Sequence, residues 1–168
     1  MLEFCEGKYK GQRATKQTFD EMRRDFPQCI TVCYVMKEED VRLAFRHPAV
    51  MLASDGLLNN GQGHPRASGS FPRFLAEFSR NGNLSLYDAI EKMTAMPANR
   101  LGLTNKGRLN VGADADITIF DYEKIRDGAT FSDPVLPPTG IDYVLINGVI
   151  AAKDCRIVKA DCGRAIRK

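Results

Sequence analysis

The sequence predicts an α/β chain whose last third turns mainly to β-structure. Three observations predict this. Residues 30–36 and 50–53 are short, continuous runs of apolar and β-branched residues, the pattern of strands buried on both faces. Between them, residues 37–46 have helical polarity, so the order strand, helix, strand reads as a βαβ unit with a parallel pair. After Asn105 the helical spacing gives way to turn-rich segments and a hairpin signal. The domain boundary is placed there, with residues 1–104 in one unit and 105–168 in the other.

Taken in order, residues 15–26 spell an amphipathic helix, with Phe19, Met22, Arg23 and Phe26 near one face and Pro27 ending it. In residues 37–46, Glu38, Glu39 and Asp40 fill the first turn while Arg42 and Arg46 come later, which suits the helix dipole. His47-Pro48 closes that helix, and the run 50–53 stops at Ser54-Asp55-Gly56. Residues 57–70 are rich in Gly and Asn and read as a loop, followed by a helix over 72–80 and a turn at Asn81-Gly82-Asn83. Ser85 is an N-cap with Asp88 three residues on, a shorter capping box. Leu86, Ala89, Ile90 and Met93 then line one helical face, and residues 94–103 form another helix with Pro97 near its first turn. Residues 106–112 are turn-rich, 116–121 form a strand, and Pro134, Pro137 and Pro138 mark a long loop. Residues 142–152 make a hairpin about Asn147-Gly148, and 156–159 add a last strand.

The chain has 168 residues, 43% hydrophobic and 27% charged, which indicates a globular rather than a disordered chain. No apolar run approaches the ~20 residues a membrane helix needs, and the polar first residues have no signal-peptide pattern. The expectation is a cytoplasmic protein that takes neither membrane nor nucleic acid, since the net charge is only +3 and the basic residues are scattered. Five cysteines at irregular spacing make a poor disulfide framework. Cys29 and Cys33 are expected to be buried thiols. With only His47 and His64, the chain falls short of the three protein ligands of a usual catalytic zinc site. His47 reads as a helix-end residue, and no metal ligand is assigned.

Chemistry is expected at Asp55. It ends a predicted parallel strand, just before a glycine and a long loop, and ligands bind at that edge of parallel sheets. A half-buried carboxylate there can act as a general base; the competing reading is an ordinary Asp-Gly turn. The following loop carries His64, Arg66 and Arg73. Arginines beside such an edge can grip an anionic substrate with a fork of donors, or they are simply surface charges. No zinc-protease, nucleophile-elbow, P-loop or dinucleotide-binding motif occurs.

The stretch Val50-Met-Leu-Ala-Ser-Asp-Gly56, then His64-Pro-Arg66 and Phe71-Pro-Arg73, resembles the N-acyl-D-amino-acid deacylases (D-aminoacylases) of the amidohydrolase superfamily. Residues 92–102, 106–121 and 144–148 continue the likeness over roughly residues 30 to 158. The 106–121 segment marks the superfamily, while the Ser-Asp-Gly, His-Pro-Arg and Phe-Pro-Arg set narrows the choice to the deacylases. The resemblance implies a TIM-type barrel with a small β-sandwich. This chain would supply the last two barrel strands with their following helices, plus part of the sandwich. It implies that Asp55 takes a proton from metal-activated water and hands it to the leaving amine, and that Arg66 faces the substrate carboxylate. His64 and Arg73 take a loop-shaping or substrate-side role.

The likeness is incomplete. The family holds zinc through histidines on other strands, and a whole barrel needs about 250 residues. The expectation is therefore the C-terminal portion of a zinc-dependent hydrolase of N-acyl amino acids, a small-molecule substrate. This chain alone is expected to be inactive and to bind no zinc tightly. Two alternatives stay open: a portion of a dihydroorotase- or hydantoinase-like cyclic amidase, or a non-catalytic remnant of the barrel. Open strand edges would invite self-association.

Overall fold

In a computed structural model, residues 1–59, 61–81 and 84–166 are described. The chain begins with a short strand, β1 (Leu2–Phe4), followed by helix α1 (Lys16–Asp25). Thr15 caps α1: its Oγ1 accepts from the Thr18 backbone N–H, and Thr18 Oγ1 accepts from the Thr15 N–H. Met22 is the buried residue of the predicted apolar face. Strand β2 (Thr31–Cys33) runs antiparallel to β1, with Leu2 opposite Cys33 and Phe4 opposite Thr31.

This corrects the parallel strand pair expected for 30–36 and 50–53. Beyond Cys33, Tyr34, Val35 and Met36 are exposed rather than buried on both faces, and residues 50–53 form no strand. The physical reason is visible in the backbone partners. The Val50 N–H donates to the His47 carbonyl, the Leu52 N–H donates to the Lys92 carbonyl, and the Lys92 ammonium reaches the Val50 carbonyl. Helix residues, not a neighbouring strand, satisfy this segment. Cys33 is likewise exposed, correcting the expectation of a buried thiol, whereas Cys29 is half-buried.

Helix α2 (Glu38–Arg46) starts one residue after the predicted 37–46, with Lys37 as its N-cap, and has the predicted dipole-matched charges. The expected loop 57–70 holds structure of its own. A small hairpin joins β3 (Leu58–Asn59) to β4 (Gln62–Gly63), and helix α3 starts early, spanning Arg66–Arg73. Pro72 therefore lies inside a helix instead of opening one. Having no N–H to donate, it is followed by a π-helical turn over Phe74–Ser79, closed by the Arg80 N–H on the Leu75 carbonyl. The turn expected at Asn81-Gly82-Asn83 lies partly outside the described residues. Helices α4 (Leu86–Met93) and α5 (Ala95–Arg100) follow. The Ser85 hydroxyl caps α4 by accepting from the Asp88 N–H at 3.0 Å, and it donates to the Asp88 carboxylate at 2.7 Å.

The last third is an antiparallel four-stranded sheet in sequential order: β5 (Ile117–Phe120), β6 (Ile141–Ile146), β7 (Val149–Lys153) and β8 (Arg156–Ile157). Asn147 and Gly148, both left-handed at φ +51 and +76, make the predicted hairpin turn. The core clusters Leu52, Phe74, Leu75, Phe78 and Ala89 with Ile125, and Phe120 and Ile141 pack against it. Phe45 meets Phe74 and Phe78 edge-on at 4.8 and 4.9 Å. Arg80 ties this core to the sheet side, donating to the carbonyls of Tyr122, Glu123 and Ile125. No helix among the described residues is long and apolar enough to cross a membrane.

Candidate functional site

Lys92, a residue only 4% exposed, anchors the approach to Asp55. It donates to the His47 carbonyl at 2.7 Å and the Val50 carbonyl at 2.8 Å, so the end of α2 and the segment leading to Asp55 are fixed together. A buried ammonium is tolerated only with such partners. Asp55 then adopts a left-handed backbone, φ +43, a conformation that Asp and Asn enter more readily than other non-glycine residues. Gly56 follows because the chain presses against α3 here. A Cβ added at Gly56 would lie 2.3 Å from the Ala67 Cα and 2.8 Å from its nitrogen.

That contact brings the first turn of α3 onto Asp55. The Arg66 Nε donates to the Asp55 carbonyl at 2.8 Å, and the Arg66 Nη2 donates to the Asp55 carboxylate at 3.0 Å. One guanidinium thus holds both the backbone and the side chain of the same residue. The Asp55 side chain is 90% exposed, not half-buried as expected: among the described contacts only Arg66 reaches it. Arg66 uses two of its five N–H groups on Asp55, so the rest can meet a second anion.

His64 stands one layer behind. Its Nδ1 accepts the Arg66 backbone N–H at 3.1 Å, which leaves the neutral ring's proton on Nε2. Burial, and then the charges of Arg66 and Arg73, push the His64 pKa below the ordinary imidazole value, which keeps that acceptor unprotonated. Arg73 points elsewhere: its guanidinium lies 3.9 Å from the Asp127 carboxylate, at the far end of α3. The structure therefore joins Asp55, Arg66 and His64, and sets Arg73 apart. His47 caps α2, its Nδ1 accepting from the Ala49 N–H.

Three residues shape the site though the sequence assigned them no role: Lys92 and Gly56 fell within the family-like stretches, and Phe131 lay outside them. Phe131, in the proline-rich loop, packs edge-on against His64 at 5.1 Å and also meets Tyr34 at 5.8 Å. The signal available for Phe131 was a bulky apolar residue between Thr130 and Ser132 in an otherwise polar turn. Among the described residues, no group of three or more His, Cys, Asp or Glu side chains could hold a metal ion, so the residues present do not fit a zinc centre.

A profile of the amidohydrolase family matches residues 19–152. The chain is 45% identical over 118 residues to an N-acyl-D-glutamate deacylase of Alcaligenes xylosoxydans xylosoxydans, covering 70% of this chain and 24% of that protein. It is similar in structure to a D-aminoacylase whose crystal structure defines a novel subset of amidohydrolases, with TM-score 0.86, 28% identity, and 99% of this chain laid on 38% of that one. It is also similar to the N-acyl-D-glutamate deacylase of Bordetella bronchiseptica, solved with zinc and a phosphonate mimic of the tetrahedral intermediate. There the TM-score is 0.80 at 29% identity, over 96% of this chain and 37% of that one. The chain thus spans about a quarter of the curated relative and somewhat over a third of the solved ones.

Proposed function

The chain belongs to the amidohydrolase family, and from that premise we propose that it supplies the proton-transfer carboxylate, Asp55, of an N-acyl-D-amino-acid deacylase. One observation carries the assignment. Asp55 projects an exposed carboxylate from the end of the 50–54 segment, and a single arginine, Arg66, grips both its carboxylate and its carbonyl.

In the proposed reaction the amide carbon is attacked by water, and the C–N bond breaks to give a carboxylate and a free amine. Asp55 takes the proton the water loses and returns it to the leaving nitrogen, which would otherwise depart as a strongly basic amide anion. Arg66 keeps the carboxylate aimed and turns its remaining N–H groups to the α-carboxylate of the substrate. His64 holds the first turn of α3 in register, and Arg73, paired with Asp127, anchors its last turn.

Residues 1–104 are proposed as the closing part of a TIM-type barrel, and residues 105–168 as part of its β-sandwich. The likeness to the D-aminoacylase fold supports this. The exposed Tyr34, Val35 and Met36 would meet further barrel strands, and turnover would require residues beyond these 168. A bound zinc occurs in a solved relative, whereas the described residues here make no metal site. Five free cysteines support a reducing, cytoplasmic setting.

The test is hydrolysis of N-acyl-D-amino acids by the complete polypeptide encoded by the reading frame that contains this sequence, alongside its Asp55→Asn variant. A general acid–base is worth about 10²- to 10⁴-fold, so kcat should fall by at least about 10²-fold. Undiminished turnover by the variant would overturn the assignment.

A further inference from the structure

The proline-rich segment between β5 and β6 returns to the site. Arg73, at the end of α3, pairs with Asp127, and α3 approaches closely enough at Gly69 that an added Cβ would stand 3.0 Å from the Asp127 Cβ. Three residues further on, at Thr130, the chain makes a tight polar turn. The Thr130 N–H donates to the Asp133 carbonyl at 3.0 Å, the Asp133 N–H donates to Thr130 Oγ1 at 3.0 Å, and the Thr130 and Ser132 hydroxyls share a hydrogen bond. Pro134, fully buried, pins the end of the turn. Phe131 is the apolar side chain this turn presents, and its ring sits between His64 and Tyr34.

We propose that Phe131 is a positioning residue for the Asp55–Arg66 pair, acting through His64. The links are direct: the Phe131 ring lies edge-on to the His64 ring, His64 Nδ1 accepts the Arg66 N–H, and the Arg66 guanidinium holds Asp55. Tyr34 closes the other side of Phe131, and its hydroxyl is itself held by the Glu3 carboxylate at 3.1 Å, so the aromatic ring has a backstop. The ion pair at Asp127 fixes the far end of α3, and Phe131 braces the near end. Such a brace removes freedom from the reacting groups, and small losses of alignment cost rate steeply. This inference rests on the reading of Asp55 and Arg66 given above.

The test is built to separate the two. The chain has only two histidines, so both imidazoles can be followed by NMR titration, with His47 as the internal control. Phe131→Ala exposes His64 and should raise its titration midpoint while leaving that of His47 in place. The Arg66 Nε–H, bonded to the Asp55 carbonyl, should exchange faster with solvent. Phe131→Tyr should restore both, and Phe131→Leu, which removes the edge-on ring contact with His64 but less volume, should show the same two changes in smaller degree should the alanine variant fail to fold. In the complete polypeptide, Phe131→Ala should lower kcat/KM by about tenfold or more, with recovery in Phe131→Tyr. An unchanged His64 midpoint and unchanged Arg66 exchange in folded Phe131→Ala or Phe131→Leu would overturn the inference, even if Asp55→Asn abolished turnover. Conversely, if the NMR effects appear but Asp55→Asn stays active, the brace stands and the catalytic reading falls.

Discussion

At Asp55 two backbone facts act together: a left-handed φ of +43 and a following glycine with no room for a side chain. The left-handed turn costs about 1 kcal/mol, and the Arg66 grip on its carbonyl and carboxylate offsets it. Gly56→Ala should be the sharper perturbation, because the new methyl would meet the Ala67 backbone, which cannot rotate away. We expect a loss of about 2 kcal/mol, read as a lower urea midpoint at unchanged slope. An unchanged midpoint would mean that the Gly56–Ala67 contact is looser than it stands here. At this scale the sequence was only half legible. Asp55, Arg66 and His64 could be picked out as a candidate group, but the degree of exposure of Asp55 and the divergence of Arg73 toward Asp127 depend on where α3 begins, and Gly69 and Pro72 hid that start.

Among the elements, the C-terminal sheet is stapled by charge. Lys106 binds Asp114 at 2.9 Å and also Asp116, whose other oxygen accepts the Asn147 N–H at 2.9 Å. Lys106, and then the Asn147 N–H, hold the Asp116 carboxyl below its usual range, while Asp116 and then Asp114 raise the Lys106 ammonium. The signs follow from linkage. A depressed carboxyl contributes stability above its unfolded pKa of about 3.9 and loses it as pH falls through the folded value; a raised lysine contributes below about 10.4 and loses it as pH rises through the folded value. The staple should thus hold across neutral pH. The stability gap between the natural chain and Lys106→Met should narrow as pH drops below about 4, measured by denaturant melts. A gap that stays constant down to about pH 2 would remove the staple from the account. Helices were easier to read than strands. The cap at Ser85 and the acidic start of α2 are local signals. The strand expected at 50–53 was not formed, since a ladder needs a partner and Lys92 supplies the hydrogen bonds instead.

Across the whole molecule the core does not respect the boundary at residue 104, since Ile125, Phe120 and Ile141 pack with Phe74, Phe78 and Leu52. Phe74, 2% exposed, is central to that cluster. Phe74→Ala should cost about 3–5 kcal/mol and shift one cooperative melting transition detected by both helix and sheet signals. Two transitions, only one of them moved, would show the sheet folding independently. Sequence alone was enough for what depends on neighbours a few residues apart: the Ser85 helix cap, the Asn147-Gly148 hairpin, and the family likeness carried by contiguous motifs. Long-range packing settled the rest. The antiparallel pairing of β1 with β2, the grip of Arg66 on Asp55, the burial of Lys92 and the return of Phe131 to His64 each join residues 11 to 67 positions apart in the chain. Such contacts form only when burial of the shared core brings those segments together, and no local pattern of residues encodes them.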